Sequence, residues 1–484
     1  MRSRPESGTG GRGGSVFAAA PAWVWIAGAW AVASLPNLAA RSFMWEEGNY
    51  AVMARDMVAR GDLLEPTIFG LRWVEKPALL AWLIAGAARL TGAVDEWSAR
   101  LIPMLAILAT ALLVERFTRR YAEPPASLLA AAAFMFCPML LRKIRIAEPD
   151  TIITFLSFAA FVVWWTGEER GRVTTGRWLA CGGLLAILTM AKGPQPVGFF
   201  ALGVGGYLVA RGRWTALPGL VLCLALPAAA TVAWAAAVYR GDHDLSIWFT
   251  YLRVHDLRFN ARHYLRERLR FAGGLPLDLL PSTLLVPAAL RVWWRGPRDN
   301  DAPPSPVPPV VFYAGVCTLA LLVWPGVKTR YAMPIAPAVA VLAGLAFGPL
   351  ARRRHWAAAA AVAATVGLFV YQVVLVTLVI PRHAEKYSAP RRRAPLLDAA
   401  IAAAPAPVFT LGKSQSNKLF YLTPPIRSVG PDDPALMAPA WVFASRKQLE
   451  RLRALRSDLS VREVMPAVSG GGLVLARVER PSAP

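Results

Sequence analysis

Two adjacent carboxylates, Glu46 and Glu47, stand in the stretch FMWEEGNY just after an apolar run that ends near residue 40. Side-by-side carboxylates repel, which raises one pKa and leaves a proton-accepting group poised at a membrane boundary. The same pair would also serve as a solvated acidic cap on a helix N-terminus. Asp150, close to Glu148 in RIAEPDTIITF, is a second acid of this kind, and an N-cap is again the plain alternative. Basic residues accompany the acids: Lys76, Arg142, Lys143, Arg145, Lys192, Lys328, Arg330 and a dense run from Arg253 to Arg270. Such cations either snorkel to anionic headgroups or converge on a phosphate or pyrophosphate at the membrane face.

The elements that carry these residues are apolar. The 484 residues are 56% hydrophobic and 17% charged, with a mean hydropathy of +0.41, which excludes a soluble protein of this length. Eleven apolar segments read as spans: 17–40, 101–114, 126–141, 151–166, 178–191, 194–210, 214–238, 276–290, 306–327, 331–350 and 356–380. The first follows Arg2, Arg4 and Arg12, but its apolar run exceeds a signal h-region and lacks a small-x-small cleavage site, so it reads as retained. Cys137, Cys181, Cys223 and Cys317 all fall in apolar segments without CxxC spacing and read as packing residues.

With residues 1–16 as a cytoplasmic tail, the clusters at Arg116/Arg119/Arg120, Arg170/Arg172/Arg177, Arg211/Arg213, Arg291/Arg295/Arg298 and Arg352/Arg353/Arg354 all lie inside. The acids and the second set of cations then lie outside, chiefly in two long loops, 41–100 and 239–275. Segment interiors are almost free of charge, Asp278 being the exception near the start of the eighth. That pattern opposes a polar path through the membrane and favours chemistry at its outer surface. The net charge of +23 is scattered over membrane loops, which excludes a nucleic-acid face.

Within the first loop, Tyr50, Met53, Ala54, Met57 and Val58 follow helical spacing with Arg55, Asp56 and Arg60 facing away, and Gly61 is a natural stop. The spacing predicts an amphipathic helix lying in the interface. A second helix starts at Pro77; its uncharged run, Ala78 to Ala88, reaches about 17 Å against a core of about 30 Å and belongs on the membrane surface.

Six motifs in order resemble the membrane glycosyltransferases of the GT-C fold, in particular the branch of bacterial aminoarabinose transferases and related polyprenyl-phosphate-sugar-dependent enzymes. They are WEEGNYAVMARDMVARGDLLEP, RWVEKPALLAWLI, RIAEPDTIITF, MAKGP, VHDLRF and KTRYAMPIAPA, spread over residues 41–350. The resemblance implies transfer of a sugar from a lipid phosphate at the outer face. It makes Glu46 the general base or acceptor-positioning carboxylate, with Glu47 in support and Asp150 second. Lys76, Lys192, Lys328 and Arg330 become partners of the donor phosphate, and Tyr50 and Arg258 substrate contacts. A divalent ion, zinc or Mg/Mn, is implied at Glu75, His255 and Tyr331. The chain departs from the family in having Glu46 where Asp is usual, Asn49 where Arg is usual, and Trp73 and Ala78 in a tyrosine-rich neighbourhood. These changes bear on the sugar and acceptor more than on the reaction class.

Residues 381–484 alternate short β-like runs, PVFTLG, PAWVFAS and GGLVLARV, with the helical RKQLERLRALRS. The fold expected is therefore all-α and polytopic, with 11–13 transmembrane helices in 17–380, interfacial helices in the first outer loop and a small C-terminal α/β domain in the periplasm. The corresponding function is inner-membrane glycosyl transfer from a polyprenyl-phosphate sugar to a lipid, glycan or protein acceptor, by inverting displacement. No nucleotide-binding glycine loop is evident. The rival is a lipid-linked sugar flippase or other polytopic transporter.

Overall fold

The computed structural model describes residues 20–239, 261–295, 304–412, 415–467 and 472–481. Helices dominate as far as residue 403: α1 (Ala22–Ser34), α2 (Glu47–Arg60), α3 (Leu79–Thr91), α4 (Glu96–Arg119), α5 (Ala126–Met135), α6 (Asp150–Glu168) and α7 (Thr175–Lys192). They continue with α8 (Val197–Ala210), α9 (Leu217–Val238), α10 (Ala261–Asp278), α11 (Ser282–Arg295), α12 (Val307–Val323), α13 (Ala336–Arg353), α14 (His355–Val374) and α15 (Ala389–Ala403). Among the described residues, five helical runs are long and apolar enough to cross a membrane, and six if α10 and α11 form one broken span. The chain is a multi-pass membrane protein.

Each of the eleven apolar segments coincides with helix. The six outside that set of five are short, interrupted, bent or less apolar: α1 has 13 residues and α5 has 10, and a π turn at Ala201–Gly205 breaks α8. The predicted span 276–290 is not one straight helix: α10 and α11 meet at 83° with Asp278 at the end of the first. Pro276, Pro281 and Pro287 explain why helix does not run straight through. Gly residues let α7 and α9 approach closely: a Cβ on Gly182 would lie 2.7 Å from the Cys223 carbonyl oxygen. All four cysteines are buried and unpaired.

The bundle has two distinct ends. At one, α4 and α6 finish, with Arg120 paired to Glu169 and Arg213 to Glu168 at 3.1 Å. At the other, α4 and α6 begin with Glu96 and Asp150, and α7 delivers Lys192. The start of α4 is set by a capping box, in which the Asp95 carboxylate accepts from the Ser98 amide and the Ser98 hydroxyl accepts from the Asp95 amide.

The C-terminal residues lie at this second end. Strands β1 (Thr67–Ile68) and β2 (Leu71–Arg72) form a small hairpin in the first long loop, turned by Phe69 and Gly70 at φ 53° and 75°. The main sheet contains β3 (Val408–Leu411), β4 (Ile426–Val429), β5 (Ala440–Ser445), β6 (Ser460–Pro466) and β7 (Leu473–Glu479) in the order β4-β3-β5-β7-β6. The pairs β3/β4 and β3/β5 are parallel, and β7 is antiparallel to both neighbours. Alternate residues face opposite layers. Val408, Trp441, Phe443 and Leu475 join the core shared with α15 and the bundle, while Phe409, Val442 and Ala444 pack with Leu449 and Leu452 of α16 (Arg446–Leu455).

The amphipathic helix is α2, and it ends at Gly61 with φ 69° as its sequence requires. Its apolar face meets protein rather than lipid. Tyr50, Ala51, Val52, Met53, Ala54 and Met57 are all buried, because α2 is enclosed by α3, the β1/β2 hairpin and a turn of helix at Ser416–Leu419. Gly48 makes that closure possible, since a Cβ there would lie 2.2 Å from the Asn417 amide nitrogen. The hairpin is tied in as well, its Phe69 carbonyl accepting from the Ser428 amide at 2.8 Å.

Candidate active site

Glu46 and Glu47 diverge. Glu46 is the N-cap position of α2 and makes no cap hydrogen bond; its half-exposed carboxylate takes the Lys76 ammonium at 2.9 Å. Lys76 lies in the loop between β2 and α3. Burial alone would raise the Glu46 carboxyl, but Lys76, then Arg330 and Lys192, outweigh it and hold the group below its ordinary value.

Glu47 turns inward and is fully buried. It forms a two-pronged pair with Arg100, Nε to Oε1 at 2.8 Å and Nη2 to Oε2 at 3.1 Å. It also accepts from Arg41 at 3.2 Å, from the Met44 amide at 2.9 Å and from the Ala147 amide at 3.0 Å. Burial pushes its pKa up, and Arg100 followed by Arg41 more than offsets that, so it too is held low. The expectation that mutual repulsion raises one acid of the pair is therefore overturned: each carboxylate has its own cations, and neither is raised.

Asp150 is the first residue of α6, without a cap bond from its side chain. Its carboxylate instead takes Lys192, at the last position of α7, at 2.5 Å. Glu148, two residues earlier, is buried against Lys143 and lies 3.7 Å from Arg330. Arg330 and Lys192 both approach the Tyr331 ring, at 5.6 and 5.4 Å from its centroid. Tyr50 is buried in the same neighbourhood, and its hydroxyl has no hydrogen-bond partner among the described residues. Burial, followed by the charges of Glu46, Asp150 and Glu148, raises its phenol well above the ordinary value, so it is a neutral donor.

The structure thus gathers Glu46, Tyr50, Lys76, Asp150, Lys192, Arg330 and Tyr331 at one end of the bundle, and adds Lys143 and Glu148. Lys328 is exposed at the start of the turn that carries Arg330. Glu75 lies beside Lys76 in the loop before α3. His255 and Arg258 lie outside the described residues. Among the described residues no cluster of three His, Cys, Asp or Glu could hold a metal ion. Two cations this close to Tyr331 suit an anion there better than a divalent metal.

Sequence reading missed Arg100. An apolar segment that begins at residue 101 leaves Arg100 in a loop; it stands instead inside α4, fully buried. Its Nη1 donates to the Leu38 and Arg41 carbonyls at 2.7 and 2.9 Å, and Nη2 to the Ser42 carbonyl at 3.1 Å. An arginine at the edge of an apolar run with an unpaired acid elsewhere was the available signal.

The architecture matches solved proteins along its length. ArnT from Cupriavidus metallidurans bound to undecaprenyl phosphate superimposes with a TM-score of 0.69 over 95% of this chain and 98% of that one, at 18% identity. The apo form of the same protein gives the same score at 19% identity. The chain has the GT-C fold. A family model described as dolichyl-phosphate-mannose-protein mannosyltransferase matches residues 75–235. The undecaprenyl phosphate-alpha-4-amino-4-deoxy-L-arabinose arabinosyl transferase of Edwardsiella ictaluri is 29% identical over 268 residues, 52% of this chain and 47% of the relative. That of Pseudomonas aeruginosa is 30% identical over 321 residues, 62% and 54%. In these alignments the chain spans about half the length of the transferases it matches. The GT-C fold and the similarity to aminoarabinose transferases agree with the motif resemblance.

Proposed function

We propose that the protein is a glycosyltransferase that takes a sugar from a polyprenyl-phosphate carrier and attaches it to a lipid, glycan or protein acceptor. One observation carries the reading: four cations, Lys76, Lys143, Lys192 and Arg330, gather with three carboxylates at one end of a GT-C bundle. The surplus of positive charge suits the phosphate of a lipid donor, and grows as that phosphate leaves with its full charge. The relatives named above act on an undecaprenyl-phosphate sugar, and one solved neighbour holds undecaprenyl phosphate, which supports a donor of that class.

In this reading Glu46 accepts or orients the acceptor proton. Its low pKa keeps it ionised, ready to accept, across neutral pH. Lys192 and Arg330 stabilise the departing phosphate, Asp150 holds Lys192 in place, and the Tyr50 hydroxyl donates to substrate. Glu47 is a positioning residue that anchors the start of α2. In-line attack then inverts the anomeric centre without a covalent enzyme intermediate. The site end and the C-terminal sheet face the periplasm in an inner membrane, as the distribution of basic loops predicts.

The test is transfer of radiolabelled sugar from a panel of polyprenyl-phosphate sugars by the full chain in nanodiscs, wild type against Glu46→Gln. Transfer that collapses in a folded variant supports the reading. Movement of donor across the bilayer with no transfer to any acceptor would replace it with the flippase.

A further inference from the structure

The end of the bundle opposite the candidate active site carries a cleft of about 460 Å³ between the C-terminal turns of α4 and α6. Its lining is divided by chemistry. Leu113, Phe117 and Val162 supply apolar wall, while Arg116, Arg119, Arg120 and Arg170 supply charge. We propose that this cleft binds the phosphate headgroup of an anionic phospholipid, with the start of an acyl chain against the apolar wall.

The arginines are unequal. Arg120 is committed to Glu169, which also accepts from the Tyr121 hydroxyl at 2.6 Å, and Tyr121 in turn accepts from the Trp165 indole at 2.8 Å. Arg119 is paired with Glu115 on its own helix at 3.3 Å. These interactions make a braced wall. Among the described residues Arg116 and Arg170 make no ion pair, and both are exposed. Two positive charges thus stand at a cleft with one apolar wall, their partners unassigned. The carbonyl ends of α4 and α6 contribute partial negative charge here, which explains why arginine collects at these ends but does not use up two full charges.

A planar guanidinium matches a phosphate oxygen pair, and basic pockets between helices at a membrane face suit lipid headgroups. A free phosphate would use the arginines and leave Leu113, Phe117 and Val162 without a role. The amphiphile uses both halves of the lining.

The test titrates purified full chain in a neutral detergent with short-chain phosphatidylglycerol, phosphatidylcholine and glycerol phosphate, reading the thermal midpoint. Phosphatidylglycerol is expected to raise the midpoint at concentrations where phosphatidylcholine does not. Each arginine near a membrane surface contributes about fivefold in affinity, so Arg116→Ala/Arg170→Ala should weaken the lipid by about thirtyfold. Arg352→Ala/Arg353→Ala, basic but outside the cleft, should bind as wild type. The proposal is overturned if the two lipids act alike, if the Arg116/Arg170 variant binds as wild type, or if glycerol phosphate binds as tightly as the lipid. Both positions are exposed, and an unchanged midpoint without lipid shows that the variant is folded.

Discussion

The Arg100/Glu47 pair yields the sharpest test of how α2 is held. Both side chains are essentially without solvent contact, at 1% and 0% exposure. Removing one partner of a buried pair leaves an uncompensated charge and costs about 3–5 kcal/mol. Arg100→Met takes that cost on Glu47, which keeps Arg41 and two amides, and also strips the donor from the Leu38, Arg41 and Ser42 carbonyls. Glu47→Gln takes it on Arg100, which keeps those carbonyls but loses its counter-charge. The double variant no longer holds either charge of the pair. What remains is the three carbonyls, on the order of 3 kcal/mol in sum, and an Arg41 that has lost Glu47, a cost already present in Glu47→Gln and so cancelling in the cycle. The costs should therefore be far from additive, with a coupling of about 3 kcal/mol or more between the two sites. Unfolding in detergent followed by tryptophan fluorescence, which the 18 tryptophans make strong, would measure the cycle. A Glu47→Gln variant that unfolds like wild type, or costs that simply sum, would refute the argument.

Three further outcomes follow from the geometry. Lys76→Met removes the nearest cation from Glu46, so the carboxyl pKa should rise and the acid limb of the transfer rate should move to higher pH. Because a depressed carboxyl stabilises the fold above its ordinary pKa and loses that contribution as pH falls through the folded one, the same variant should also be less sensitive to acid unfolding; an unmoved acid limb counts against Glu46 as the titrating group. Gly48→Ala places a Cβ against the Asn417 backbone at 2.2 Å, so it should part α2 from the C-terminal residues, seen as faster proteolysis between residues 404 and 425 and a lower thermal midpoint. Tyr421→Phe removes a hydroxyl that donates to buried Glu96 at 2.5 Å and accepts from the Phe43 amide at 2.7 Å. A loss of about 1–3 kcal/mol is expected, and no loss would mean that water replaces it.

Much of the helical architecture was legible because hydrophobic runs and their charged edges are local properties. The helix at 47–60, its stop at Gly61 and the β-like runs of the C-terminal region all follow from spacing of three to four, or two, residues. The candidate site was legible in part, since acids and cations at the edges of apolar runs mark themselves by the solvation they would otherwise lose. Residue type also carried the motif resemblance to the GT-C enzymes.

Partnership was decided by the tertiary structure. Nothing local says that Glu46 meets Lys76, 30 residues away, while its neighbour Glu47 meets Arg100, 53 residues away. That divergence reverses the expected pKa of the pair, because a carboxylate responds to the charges within a few ångströms and those come from distant helices. The burial of α2 is of the same kind: its amphipathic pattern specifies one apolar face, but whether lipid or protein covers it depended on the closeness that Gly48 permits to a segment almost 370 residues further along. Periodicity determined the elements; long-range packing and charge compensation decided which of their side chains are structural and which are left to do chemistry.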